Sequence, residues 1–155
     1  MDTAASGELF VSDNVLDDAE LQADGLQVQP SRLLNAGRGL FATRAFAQGS
    51  VVCVYTGEVL ESARAWKLAD KTYLMKLGGG RYVDARRCPR VLARYMNDCR
   101  GRLGGFNVTL DKRPSEGRAL VVALRDIAAG EELFVDYGRL YWLAYNLLHP
   151  ESPVR

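Results

Sequence analysis

From Leu26 onward the apolar runs of this chain are short, and glycine, proline and asparagine break them repeatedly. Ser50-Val-Val-Cys-Val-Tyr55 is β-branched and too short for a helix, so it reads as a buried strand. Tyr73-Leu-Met-Lys-Leu77 and Arg81-Tyr-Val-Asp84 flank Gly78-Gly-Gly80, a hairpin signal. Phe106–Leu110 and Ala119–Ala123 read as a second strand pair around Pro114-Ser-Glu-Gly117. Helical spacing is confined to a piece across Asn14–Gln22, to Glu61–Leu68, to Pro89–Met96 with proline at a first helical position, and to Arg139–Leu147. Many short strands with few helices predict an α+β, mainly β domain. No strand–helix alternation of the dinucleotide-binding kind occurs, and Gly78–Gly80 is a turn rather than a phosphate cradle.

Length and charge divide the chain further. Its 155 residues suffice for one domain with an extension. Residues 1–25 read as an acidic N-terminal extension, 26–147 as the folded domain with an aromatic C-flanking helix, and 148–155 as a tail. Residues 1–31 carry seven acidic and no basic side chains, whereas the remainder carries 20 basic against 12 acidic ones, a net of +8. Such a leader is either a solvated extension or an arm that folds back on basic surface or contacts a basic partner. No apolar run approaches the roughly 18 residues of a membrane helix, so no membrane partner is expected. Basic and aromatic residues do not interleave along a strand face, which argues against direct nucleic-acid binding. Cys53, Cys88 and Cys99 form neither a CxxC pair nor a disulfide framework, pointing to a reducing intracellular compartment. With His149 the only histidine, no metal site is expected within the chain.

Four segments carry candidate chemistry. Gly37-Arg38-Gly39 precedes a strand; glycines there permit a tight turn or close approach of a ligand to backbone. Tyr55-Thr-Gly-Glu58 ends a strand with an aromatic that either caps the core or lines a site. Arg94-Tyr-Met-Asn97-Asp98-Cys99 is a helix end with two polar capping residues. Glu132-Leu-Phe-Val-Asp136-Tyr137-Gly138 is a short strand, following a turn at Gly130, that delivers a tyrosine.

This ordered set resembles the SET-domain family, which transfers methyl groups from S-adenosylmethionine to protein lysines and releases S-adenosylhomocysteine. The resemblance spans about Leu26 to Tyr145. It implies a fold of several short curled sheets, with the C-terminal motif threaded through a loop of the third motif in a knot-like way. It also implies that Gly37, Arg38, Gly39, Arg94, Asn97, Asp98, Tyr137 and Trp142 surround the cofactor. Tyr55, Tyr73, Val135 and Tyr141 then line the substrate side, with Tyr137 and Tyr55 as the catalytic pair. Asn107 matches a later family asparagine across a lengthened loop.

The chain departs from the family pattern at four places, one of them a Ser-Cys pair shortened to Cys99. Asp98 stands where histidine is usual. Val135 replaces a phenylalanine or tyrosine, which implies a roomier amine pocket permitting di- or trimethylation, or a badly formed one. The cysteine-rich zinc segment is replaced by Tyr141-Trp142-Leu-Ala-Tyr145, aromatics that either pack the core or stack near the cofactor or substrate.

The reaction needs a neutral lysine, because only the free amine attacks a sulfonium methyl. Removing that proton at pH 7 from a reference near 10.4 costs roughly 4.6 kcal/mol. A dry channel and a nearby positive charge both lower this cost, so Tyr137 acts by placement rather than as a base. The expected substrate is a histone tail and the expected location the nucleus, with oligomeric state open. The alternatives are a methyltransferase for non-histone proteins, or a catalytically weak SET-type module that binds a lysine-bearing peptide.

Overall fold

The computed structural model describes residues 16–100, 103, 105–138, 147, 150 and 151. In chain order the strands are β1 (Gln22–Ala23), β2 (Leu26–Pro30), β3 (Arg38–Ala42), β4 (Val51–Tyr55), β5 (Glu58–Glu61), β6 (Leu74–Gly78), β7 (Arg81–Asp84), β8 (Val108–Arg113) and β9 (Arg118–Ala123). The one α-helix among the described residues is α1 (Ser62–Trp66). The strands form three antiparallel sheets, ordered β1-β2-β3, β4-β9-β8 and β5-β7-β6. This is the mainly β, α+β architecture that the short runs imply.

Each sheet is too small to stand alone and buries its inner face against the others. Alternation makes this possible: Ala119, Val121 and Ala123 of β9 point inward, as do Leu26 and Val28 of β2. Leu40, Val83, Val108, Ile127 and Leu133 complete a shared core, each at most 1% exposed.

Two expected strand pairings hold and three elements are adjusted. The glycine hairpin joins β6 to β7 as read, and β8 pairs with β9 across the turn that begins at Pro114. By contrast, the expected buried strand β4 is buried only in part: it lies at a sheet edge, with Val52 and Tyr55 buried and Val51 51% exposed. Pro89 opens no helix; serial turns through Cys88 and Val91 lead into a 3-10 turn at Leu92–Tyr95, a segment too short to reach α geometry. Glu61–Leu68 narrows to α1.

The helix expected over Asn14–Gln22 is, within the described residues, a 3-10 turn at Asp18–Glu20 that gives way to β1. Leu21 beside it is fully buried, which contributes about 1.5–3 kcal/mol. Leu21 therefore anchors this stretch to the sheets, while Asp17, Glu20, Gln22, Ala23 and Asp24 stay exposed. Acids of the stretch meet body arginines, Asp18 with Arg38 at 3.0 Å and Asp24 with Arg44 at 3.5 Å. The helix expected over Arg139–Leu147 falls largely outside the described residues.

The segment after Gly130 is the structural centre. Leu133 N–H donates to Leu40 O at 2.7 Å, and Glu132 bridges antiparallel to Phe41. Phe134 then bridges parallel to Asn97, and Val135 N–H donates to Asn97 O at 3.0 Å. From the other side, the Asn107 and Val108 amides both donate to Phe134 O, at 3.1 and 3.3 Å. The segment is thus gripped by the two ends of one loop, Asn97 at its start and Asn107 at its close. That grip is the knot-like arrangement.

Candidate active site

Crossing these segments brings Gly37–Gly39, Asn97–Asp98 and Tyr137 together, although they are distant in sequence. Asn97 donates its side-chain amide to Arg38 O at 2.9 Å and to Glu132 Oε2 at 3.4 Å. Both partners are acceptors, which fixes the amide's orientation. Among the described residues, Asn97 Oδ1 is left without a hydrogen bond. It is an acceptor suited to an ammonium.

Tyr137 is held at both ends. Its hydroxyl donates to Met96 O at 2.6 Å and its backbone N–H donates to Asp98 Oδ2 at 3.0 Å. The Asp98 carboxylate, 5% exposed, also accepts Arg100 N–H at 2.8 Å. A phenol whose proton is committed to a carbonyl is fixed in orientation, with its oxygen set beside the Met96 main chain.

The two motif glycines differ in kind. Gly37 adopts φ +67° and a Cβ there would meet nothing within 4 Å. At Gly39 a Cβ would stand 2.3 Å from Glu132 Oε2. Open space beside a left-handed backbone, with the Asn97 acceptor nearby on the same arrangement, fits a ligand carrying an amino-acid end. Arg38 contributes main chain only: its guanidinium pairs with Asp18 and donates to Leu16 O, turned toward the N-terminal segment.

Glu132 is the residue that reading by motif passed over. It is 2% exposed, accepting Ser31 Oγ at 2.7 Å and Arg32 N–H at 2.8 Å in addition to Asn97. One carboxylate thereby ties the loop before Gly37 to the asparagine. Its signal in the sequence was an acid placed directly before the apolar Leu133-Phe-Val135. Asn107 seals the same segment, donating to Glu132 O at 2.9 Å and accepting Phe134 N–H at 2.8 Å.

On the other side stands an aromatic group. Tyr55 donates its hydroxyl to Tyr73 O at 2.7 Å. Burial, then the Asp84 carboxylate, pushes the Tyr55 phenol well above its ordinary pKa, against the opposing pull of Arg94. Arg94 lies over the Tyr73 ring at 4.0 Å and the Tyr95 ring at 5.0 Å. It also donates to Ala85 O and Arg86 O, both at 2.8 Å. The Arg94 guanidinium therefore organises Tyr73 and the turn after β7. Val135 is buried, 4% exposed, next to the Asn97 main chain that it bonds. Tyr141 and Trp142 lie outside the described residues.

Known proteins share this pattern. The family model described as the SET domain matches residues 37–138. The chain is 31% identical to N-lysine methyltransferase KMT5A-B of Xenopus laevis over 127 residues, 74% of this chain and 36% of that protein. It is likewise 31% identical to Histone-lysine N-methyltransferase Set8 of Drosophila melanogaster, over 77% of this chain and 18% of the relative. The chain thus spans about a third or less of these curated relatives' length. A solved structure titled as an active polycomb repressive complex 2 in the basal state superposes with a TM-score of 0.61 and 31% identity, covering 74% of this chain and 15% of that one.

Proposed function

This chain belongs to the SET-domain family, and from that premise we propose that it is an S-adenosylmethionine-dependent protein-lysine N-methyltransferase whose substrate is a histone tail in the nucleus. Its relatives' names, N-lysine and histone-lysine methyltransferase, support the reaction and the substrate class. The observation that carries the reading is the pairing of a committed Tyr137 hydroxyl with an open Asn97 acceptor on neighbouring backbone.

When bound, S-adenosylmethionine supplies an electrophilic methyl on a positive sulfonium. Asn97 Oδ1, the open face at Gly37 and the main chain of Arg38 are the groups that would hold its amino-acid end. Asp98 keeps Tyr137 in register through the backbone. The Tyr137 oxygen accepts an N–H of the neutral lysine amine and so aims the lone pair, a placement that is worth several kcal/mol. Because its own proton is engaged by Met96, it need not take one from the substrate. Tyr55, bonded to Tyr73 O, and Tyr73, stacked on Arg94, form the aromatic wall that disfavours the charged ammonium.

Incubating the chain with labelled S-adenosylmethionine and separate core histones tests the reading. Lysine-directed label on a histone is expected. Label only on other proteins of a cell extract would move the substrate, and no label with either would overturn the activity.

A further inference from the structure

The strand edge of β4 faces a cleft of about 480 Å³ that belongs to neither side of the site described above. Every residue from Val51 to Val54 borders it in succession. Side chains alternate between the faces of a sheet, so consecutive residues along one wall mean that the cleft looks onto the strand's edge. Among the described residues that edge is free: β4 pairs with β9 on one side, and Val51–Val54 make no other backbone hydrogen bond. An unpaired edge presents a row of donors and acceptors to any extended chain.

The cleft also has a charge. Arg44 stands at one wall, stacked on Phe46 at 4.1 Å and sharing Asp24 at 3.5 Å. Arg90 stands at another, with no ion pair or hydrogen bond among the described residues. Between them Leu26, Val52 and Leu92 give an apolar floor. Asp24 lines the cleft as well, so its rim carries two cations and one acid, a net +1 that disfavours a lysine-rich tail.

We infer that this cleft is a docking site for an extended segment of a partner polypeptide, acidic at its ends and small and apolar between, which adds a fourth strand to the β4-β9-β8 sheet. Main-chain bonds to β4 supply the affinity, and Arg44 and Arg90 select the acidic ends. A register shift between Val51 and Cys53 breaks the β9 ladder at the strand's start. The added strand is therefore short and aligns with Cys53–Val54, the cleft-facing residues beyond that shift. The site is separate from the proposed amine channel, since Tyr55 turns its hydroxyl away to Tyr73.

The probe is a fluorescein-labelled Glu-Val-Thr-Val-Thr-Glu peptide, titrated against the full chain by anisotropy. Saturable binding is expected, and Arg90→Glu and Arg44→Glu should each weaken it about tenfold. Both side chains are at the surface, so both variants retain the fold, which circular dichroism checks. N-methylating alternate peptide amides should abolish binding in one register and spare it in the other, the signature of strand addition. Equal loss in both registers, or none in either, overturns the inference, as does binding indifferent to the arginines. Displacement by a lysine-rich histone peptide would make the cleft the substrate groove, and binding seen only after removal of residues 1–15 would make the chain's own leader the occupant. Either result overturns it. None of these readouts depends on methyl transfer.

Discussion

The carboxylate of Asp98 accepts the backbone N–H of Tyr137 at 3.0 Å, joining two residues 39 positions apart. The same carboxylate holds Arg100 N–H, so it fixes both the loop and the tyrosine. Removing a buried acceptor leaves its donors unsatisfied at about 1–3 kcal/mol. Asp98→Ala should therefore lower the melting temperature and reduce kcat about tenfold or more. Asp98→Asn keeps one acceptor and should fall between the two. Paired calorimetry and steady-state kinetics check this; wild-type kcat in Asp98→Ala would show that Tyr137 needs no such hold.

Tyr137→Phe removes the hydroxyl that donates to Met96 O. Stability should drop by about 1 kcal/mol, the net worth of one hydrogen bond. On the proposed mechanism kcat should drop far more, about a hundredfold, because the amine loses its aim. Cofactor affinity should hold, since Asn97 and Gly37 are untouched. Isothermal titration with S-adenosylhomocysteine beside a methyl-transfer assay separates the two effects.

Gly37 and Gly39 are two residues apart and should fail differently. Gly39→Ala drives a Cβ to 2.3 Å from the Glu132 carboxylate, itself anchored by Ser31, Arg32 and Asn97. Gly37→Ala meets no atom and carries only the strain of φ +67°, about 1 kcal/mol. Thermal melts should show a large loss for Gly39→Ala and a small one for Gly37→Ala. If the open face at Gly37 receives the cofactor, its alanine variant should still lose affinity for S-adenosylhomocysteine.

Local pattern made the fold class, the Gly78–Gly80 hairpin and the strand that delivers Tyr137 legible, because each depends on residues close in sequence. Family spacing singled out Asn97, Asp98 and Tyr137, which the structure brings together. What stayed hidden depends on distant contacts. Glu132 looks like any surface acid until Ser31 and Arg32, about a hundred positions away, are folded over it. The edge position of β4 is invisible too, since β-branched runs look alike at the centre and the margin of a sheet. Leu21 likewise reads as part of an acidic leader, and only the pairing of β1 with β2 shows why it is buried.

Tyr55 should stay protonated at any pH at which the proposed transfer runs. Burial raises its pKa, as does the Asp84 carboxylate, so the folded state holds this proton more tightly than the unfolded chain does. A raised pKa contributes stability that is complete below the unfolded value, near 10, and is lost as pH rises beyond it. Chemical denaturation between pH 9 and 11 should show wild-type stability falling more steeply than that of Tyr55→Phe. The rise of kcat/KM with pH should keep its midpoint in the mutant, because on the proposed mechanism it reports the substrate amine. A shifted midpoint would make Tyr55 the titrating group.

Val135 stands two residues before Tyr137, buried and bonded through its amide to Asn97 O. If its side chain borders the amine, its small size leaves room for a lysine that already carries methyl groups. Val135→Phe adds bulk at this point. Overpacking a well-filled position costs about 1–3 kcal/mol of stability, so part of any activity loss would be structural. The product distribution separates the two, because misfolding scales all products alike whereas a narrowed pocket removes the higher methylation states first. Mass spectrometry of a histone peptide at matched turnover should show di- and trimethyl-lysine from the wild type and mainly monomethyl-lysine from Val135→Phe. Identical distributions would place Val135 outside the amine pocket.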